Sequence, residues 1–317
     1  MSLTVAVQMD PIEAVNTGGD STFALMLAAQ ARGHMLWHYL STDLSYVGRR
    51  VRARARSLTV DRTVGAHFRW TGEATILDLG RDTDVVLMRQ DPPFDMAYIT
   101  ATHLLERCQG ETLVVNDPAE VRNAPEKLFV LGFPDLMPPT MVTRLLADAQ
   151  SFREEHGAIV VKPLYGNAGS AVFHIRRDDA NLPALVELFS EVWREPFMVQ
   201  KFLPDVSAGD KRIVLVDGVA TGAINRRPKM GEIRSNLAAG GAAEAALLTP
   251  REEEICAAIG PELKRRGLIF VGIDVIAGYL TEINVTSPTG IVAIDRFNGT
   301  DTPTAVWLSI EGRLHRG

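Results

Sequence analysis

At 317 residues the chain is long enough to bury two or three subdomain cores. Its 46% hydrophobic and 23% charged content are those of an ordinary globular protein, and a net charge of −6 argues against a nucleic-acid partner. No apolar run reaches the about 18 residues of a membrane span, and MSLTVAVQMD lacks the basic and apolar regions of an export signal. The expectation is a cytoplasmic protein with no membrane partner. Cys108 and Cys256 show no metal or redox spacing and are expected to stay reduced in cores.

In chain order, Leu3 to Gln8 reads as a first strand, followed by Met9-Asp10-Pro11. Asp20 or Ser21 caps an apolar-periodic helix, Phe23 to Ala31, stopped at Gly33. A strand, polar loop and helix in that order suit an α/β unit whose loop faces a pocket at the strand's C-terminal end. Arg49 to Arg56, RRVRARAR, has no aromatic interleaving and reads as a solvated charged face or an anion-facing loop. Asp84 to Met88 is a buried strand leading into Arg89-Gln90-Asp91-Pro92-Pro93, where an arginine and a carboxylate suit a zwitterionic amino acid or peptide. A helix at Tyr98 to Cys108 and a strand at Thr112 to Val115 complete a first α/β domain.

Arg122 to Glu126 reads as a junction, with Lys127 opening a helix. Val160 to Leu164 is a strand carrying Lys162, and Tyr165 to Ser170 a glycine-containing loop returning into Val172 to Ile175. Two lysines and such a loop can hold nucleotide phosphates, although the loop by itself is a weak signal. Phe197 to Pro204 is a strand entering a linker on which an adenine could stack. Gly209-Asp210-Lys211-Arg212 opens the strand Ile213 to Val216, and Asn225-Arg226-Arg227 ends the next. Pro228 to Ala243, with Gly231, Gly240 and Gly241, reads as a mobile lid.

The most informative stretch is Leu268 to Gly290. Leu268 to Ile276 reads as a buried strand interrupted by Asp274, a carboxylate that would be costly there without a partner. Tyr279 to Val285 returns, with Glu282 and Asn284 on one face. A two-residue turn would pair position 274 with 281 and split the three. A three-residue loop would pair 274 with 282 and gather Asp274, Glu282 and Asn284, hard oxygen ligands suited to Mg²⁺ beside phosphates.

The stretches VAVQMDPIEAVNTGGDSTFAL, MRQDPPFD, VVNDPAEVRNAPEKLF, VVKPLYGNAGS, GDKRIVLVDG, IRSNLAAGG and GLIFVGIDVIAGYLTEINVTSPTGI together resemble the prokaryotic glutathione synthetases, a family of ATP-grasp ligases. The resemblance spans essentially the whole chain. It implies an α/β (α+β ATP-grasp) fold: an N-terminal α/β pre-ATP-grasp domain at 1–122, a central lid subdomain at 123–203 and a C-terminal catalytic subdomain at 204–317. It implies ATP- and Mg²⁺- (or Mn²⁺-) dependent joining of γ-glutamylcysteine to glycine, in a homotetramer. Lys127, Lys162, Gly166, Asn167, Gly169, Gln200, Lys201, Phe202, Leu203 and Asp210 would bind ATP, and Asp274, Glu282 and Asn284 the metal. Arg212, Arg226 and Arg234 would be catalytic. Substrate contacts would come from Asp20, Ser21, Arg89, Asp91, Asn236, Gly240, Gly241, Ser287, Pro288 and Thr289. The phosphate loop departs from the family pattern: Asn167-Ala168-Gly169-Ser170 stands where consecutive glycines are expected, and Ala168 would be strained if φ must be positive. The alternatives are a sister ligase with another acceptor amine, or a non-catalytic ATP-binding regulatory protein.

Overall fold

Val5, Ala6 and Val7 have no solvent exposure, which identifies their strand as the centre of an α/β layer. The computed structural model describes residues 2–63, 65–166, 169–229, 231–232, 234–236 and 240–315. The N-terminal region runs β1 (Thr4–Gln8), α1 (Ser21–Ala31), β2 (Met35–Tyr39), β3 (Leu44–Val47), β4 (Arg50–Val60), β5 (Phe68–Trp70), β6 (Thr75–Asp78), α2 (Leu79–Asp82), β7 (Val85–Met88), α3 (Met96–Leu105), β8 (Leu113–Val115) and α4 (Pro118–Arg122). Strands β2, β1, β7 and β8 pair in parallel, and β4 extends the sheet antiparallel to β2. Asp20 caps α1 by accepting from the Phe23 N–H at 2.6 Å, as the sequence pattern predicts.

The arginine-rich run forms β4. Val51, Ala53 and Ala55 are buried, so the arginines alternate onto the other face of the strand. Arg50 donates there to Asp78 and Glu111, and Arg56 lies 4.8 Å over the Trp70 ring. The charged face is realised; the anion-facing loop is not.

The middle of the chain runs β9 (Thr140–Thr143), α5 (Leu146–His156), β10 (Ile159–Pro163), β11 (Phe173–Ile175), α6 (Leu182–Val192) and β12 (Phe197–Lys201). These strands form an antiparallel sheet in the order β11-β10-β12-β9, with its own core around Phe152, Val161, Phe189 and Val199. The expected helix opening at Lys127 is absent. Leu128 and Phe129 donate back to the Pro125 carbonyl, and Phe129–Gly132 forms a single 3₁₀ turn. The start signal fails because Phe133 and Pro134 interrupt the pattern within two turns, and a proline disfavours helix at the residue before it.

The last region runs β13 (Asp210–Val216), β14 (Val219–Arg227), β15 (Ala242–Ala246), α7 (Pro250–Arg265), β16 (Phe270–Ile276), β17 (Tyr279–Asn284), α8 (Ile291–Asn298) and α9 (Thr302–Leu314). The strands form an antiparallel sheet ordered β15-β14-β13-β16-β17. Residues 242 and 243, read as part of a loop, belong to β15. This sheet shares its core with the N-terminal layer. Asn116 donates to the Phe270 and Val285 carbonyls at 2.8 Å each and accepts from the Phe270 N–H at 2.9 Å. Trp307 of α9, fully buried, donates to the Leu25 carbonyl of α1.

The β16–β17 hairpin reaches the three-ligand register by a third route. The turn at Ala277-Gly278 has two residues, both with positive φ (50° and 75°), the geometry of tight right-twisting hairpins. Val275 then pairs with Leu280 but Asp274 with Glu282, so Thr281 is an extra residue that bulges β17. Its hydroxyl donates to the Asp274 carbonyl at 3.0 Å. A two-residue turn plus a bulge equals the shift of a three-residue loop. Among the described residues, no helix is long and apolar enough to cross a membrane.

Candidate active site

Alternation along the antiparallel strands aims charged side chains into one cavity of about 410 Å³, lined by residues of the second and third sheets. On β13, Asp210 and Arg212 face it; on β14, Ile224 and Arg226; on β16, Asp274; on β17, Glu282 and Asn284. The register sets Asp210 opposite Arg226, Arg212 opposite Asp274, and Asp274 opposite Glu282. From the second sheet come Val160, Lys162, Gln200 and Lys201, continued by Phe202 and Leu203. Lys127, Asp91 and residues 286–290 complete the wall.

Asp274 is 3% exposed and takes two bonds from Arg212, Nε at 2.6 Å and the second guanidinium nitrogen at 3.0 Å. Arg226 reaches the same carboxylate at 2.9 Å and also binds Asp210. Burial alone would raise the Asp274 carboxyl, but the two guanidiniums overcome it and hold it well below the usual range. Asp210 has fewer partners, and burial pushes it up to about 6 against the pull of Arg226. Arg212 also donates to the Thr289 carbonyl at 3.2 Å.

A second charged group lies around Glu282, whose carboxylate is 3.5 Å from Lys127 Nζ and 3.6 Å from Lys162 Nζ. Burial would raise Glu282 too, but the two lysines bring it below its ordinary value. Lys162 itself is lowered by burial. Lys127 also donates to Glu126 and to the Gly166 carbonyl at 2.7 Å, which ties the glycine loop to this corner. Two buried, fixed lysines that share the single Glu282 carboxylate suit an entering polyanion such as a nucleotide phosphate chain.

Asp274, Glu282 and Asn284 share the cavity, with Asn284 donating to Asp274 at 3.4 Å. Among the described residues, no three His, Cys, Asp or Glu side chains group to hold a metal, so a trio here needs the Asn284 amide oxygen. Two carboxylates and an amide fit a hard cation such as Mg²⁺ by donor chemistry. Each carboxylate is already engaged by two protein cations.

Of the residues expected to bind or act, Arg212, Arg226, Arg234, Lys127, Lys162, Gly166, Gly169, Gln200, Lys201, Phe202, Leu203, Asp210, Asp91, Asn236, Ser287, Pro288 and Thr289 line this cavity with the metal trio. Asp20, Ser21, Arg89, Gly240 and Gly241 do not line it. Asp20 caps α1, and Ser21 accepts from the Gly290 N–H at 3.1 Å. Arg89 is buried, donating to Thr22 at 3.0 Å and to the Pro288 carbonyl at 2.9 Å, so it holds the 286–290 segment from behind. Asn167 and Ala168, with the question of strain in the phosphate loop, lie outside the described residues, as does part of the expected lid.

Glu126 and Ser235 line the cavity without having been singled out. Burial and the neighbouring Glu282 push the Glu126 carboxyl up to about 7. Its place directly before Lys127 was a signal, masked because Asn-x-Pro-Glu also reads as a helix start. Ser235 lies within the IRSNLAAGG stretch, but a serine between Arg234 and Asn236 in a glycine-bearing segment reads locally as loop, with nothing to show that it turns toward Asp210.

The family model described as prokaryotic glutathione synthetase, N-terminal domain, matches residues 3–122, and that for the ATP-grasp domain of the same enzymes matches residues 126–299. The glutathione synthetase of Rhodopseudomonas palustris is 56% identical over 313 residues, covering 99% of each chain. That of Bradyrhizobium diazoefficiens is 56% identical over 315 residues, covering 98% of each. Among solved structures, a D-cycloserine synthetase superposes with a TM-score of 0.71 at 16% identity, covering 98% of this chain and 99% of its own. At that identity it speaks for the fold alone, which is the ATP-grasp fold with its preceding α/β domain. Two family models that together span nearly the whole chain, and relatives above half identity over its full length, agree with the cavity's chemistry: the chain belongs to the prokaryotic glutathione synthetase family.

Proposed function

We propose that this protein joins γ-glutamylcysteine to glycine, converting ATP to ADP and phosphate through an acyl-phosphate intermediate. The observation that carries this is the convergence of two charged groups in one cavity. Arg212 and Arg226 stand on Asp274, and Lys127 and Lys162 on its cross-strand neighbour Glu282.

Lys127 and Lys162 bind the phosphates of ATP as point charges, Gly166 and Gly169 lie beside them, and Gln200 to Leu203 bracket the adenine. A carboxylate oxygen of γ-glutamylcysteine attacks the γ-phosphorus and ADP leaves. Arg212 and Arg226 neutralise the charge that accumulates on the transferring group. Asp274 and Asp210 keep both guanidiniums aimed into the cavity before substrate arrives, so little reorganisation is needed during reaction. Arg234 and Asn236 cover the acyl phosphate from water. The glycine amine then attacks the acyl carbon, the bond from that carbon to the bridging oxygen breaks, and phosphate leaves with that oxygen and takes up the proton the amine loses. Asp274, Glu282 and Asn284 would hold Mg²⁺ (or Mn²⁺), which supplies charge neutralisation to the phosphate oxygens.

The family resemblance supports a cytoplasmic homotetramer and the division 1–122, 123–203 and 204–317. Sedimentation would test the assembly. The test of the reaction is phosphate release with ATP, Mg²⁺ and γ-glutamylcysteine against a panel of amines. Turnover with glycine is the expected result. Turnover only with another amine keeps the chemistry and changes the acceptor, a methylene-scale selection worth about 1–3 kcal/mol. Silence across the panel with ATP still bound refutes the ligase and leaves a binding protein.

A further inference from the structure

Ser235 is 3% exposed, although it sits between the exposed Arg234 and a glycine-bearing stretch. Its hydroxyl donates to Asp210 Oδ2 at 2.8 Å, the same oxygen that receives Arg226. Among the described residues, the other Asp210 oxygen has no partner, so Ser235 and Arg226 are its two anchors. Arg226 continues to Asp274, and Asp274 to Arg212.

The backbone around Ser235 is closely flanked on two sides. A Cβ at Gly241 would lie 2.0 Å from the Ser235 carbonyl oxygen, and one at Gly169 would lie 2.8 Å from Asn236 Oδ1. Gly241 also donates to the Asn236 carbonyl at 3.1 Å. Residues 234–236 therefore run between the phosphate-loop glycine and the entry to β15, and the Ser235 hydroxyl ties them to the charged network beneath.

We propose that Ser235 is a positioning residue: its hydroxyl clamps residues 234–236 onto Asp210, and thereby sets both Arg226 in the cavity and Arg234 over it. This rests on the ligase reading above. The clamp joins two tasks. The segment that shields the intermediate is held by the same carboxylate that orients an arginine for phosphoryl transfer. Removing the hydroxyl leaves a buried carboxylate with one donor and releases the covering segment.

The test compares wild type with Ser235→Ala and Ser235→Thr, the latter keeping a hydroxyl. The first readout needs no catalysis: trypsin cleavage after the exposed Lys229, followed by mass spectrometry. Loss of a hydrogen bond to a charged group should speed that cleavage about tenfold in Ser235→Ala, with Ser235→Thr close to wild type. The second readout is phosphate released per peptide bond formed. It should be one in wild type and rise above one in Ser235→Ala, with kcat falling about tenfold and KM for ATP within twofold. A purely structural serine would leave that ratio at one. Equal cleavage rates overturn the clamp. Faster cleavage with the ratio still at one overturns the positioning role. If wild type forms no peptide bond, the ligase reading fails, while the cleavage comparison still decides whether Ser235 clamps the segment.

Discussion

Replacing Arg212 with alanine tests the charged network most directly. The substitution removes two hydrogen bonds to Asp274, at 2.6 and 3.0 Å, and one to the Thr289 carbonyl at 3.2 Å. Breaking a buried pair by deleting one partner costs about 3–5 kcal/mol when the other charge is left alone. Here Arg226 remains 2.9 Å from Asp274, so the expected stability loss is smaller, about 2–3 kcal/mol. The kinetic loss should be larger, because Arg226 cannot occupy both positions around the transferring phosphoryl group. Removing one preorganised donor of this type costs about 10²–10³ in kcat. Arg212→Lys should fall between, since one ammonium cannot span both carboxylate oxygens as a guanidinium fork does. The assay is the initial rate of phosphate release at saturating substrates, with urea unfolding to show that the variant is folded. A folded Arg212→Ala enzyme within fivefold of wild type would remove Arg212 from transition-state stabilisation.

Gly218, at φ +82°, packs on α7 so closely that a Cβ would sit 2.4 Å from the Gly260 carbonyl oxygen. Gly218→Ala should cost about 2–5 kcal/mol from left-handed strain and overpacking while KM for ATP stays unchanged; a loss under about 0.5 kcal/mol in urea would refute that contact. Glu126, raised to about 7 by burial and Glu282, contributes stability that is present below about 4.5 and lost as pH rises through about 7. The urea midpoint of wild type relative to Glu126→Gln should therefore fall between about pH 4.5 and 8, and parallel curves would contradict the shift. Burial pushes Cys108 and Cys256 up to about 12, so neither should react with a thiol reagent at about pH 8 until denaturant is added. Labelling of the native protein would show that these thiols are accessible.

Much of the fold was legible because short runs of apolar, β-branched residues bounded by polar turns are a local property of the chain. The strands at residues 4–8, 85–88, 159–163 and 210–216 fall where their apolar runs indicate. The helix expected at Lys127 failed because a start signal needs several uninterrupted turns after it, and Phe133-Pro134 ends the pattern too soon. The hairpin at Ala277-Gly278 shows another limit. Turn length was read without the Thr281 bulge, which depends on how the strands twist against each other. Arg89 illustrates the same limit for a side chain, since only the packed chain shows it turned toward Thr22 and Pro288.

The sequence by itself determined which residues share a face: Asp210 with Arg212, and Glu282 with Asn284, since spacing of two in a strand leaves no other choice. Tertiary structure decided which charges meet. Asp274 lies 62 residues from Arg212, and Ser235 lies 25 from Asp210, so their pairing depends on strand order and on how the segments cross. Coulomb attraction and the cost of burial act over a few ångströms of space, and chain distance carries almost no information about that separation.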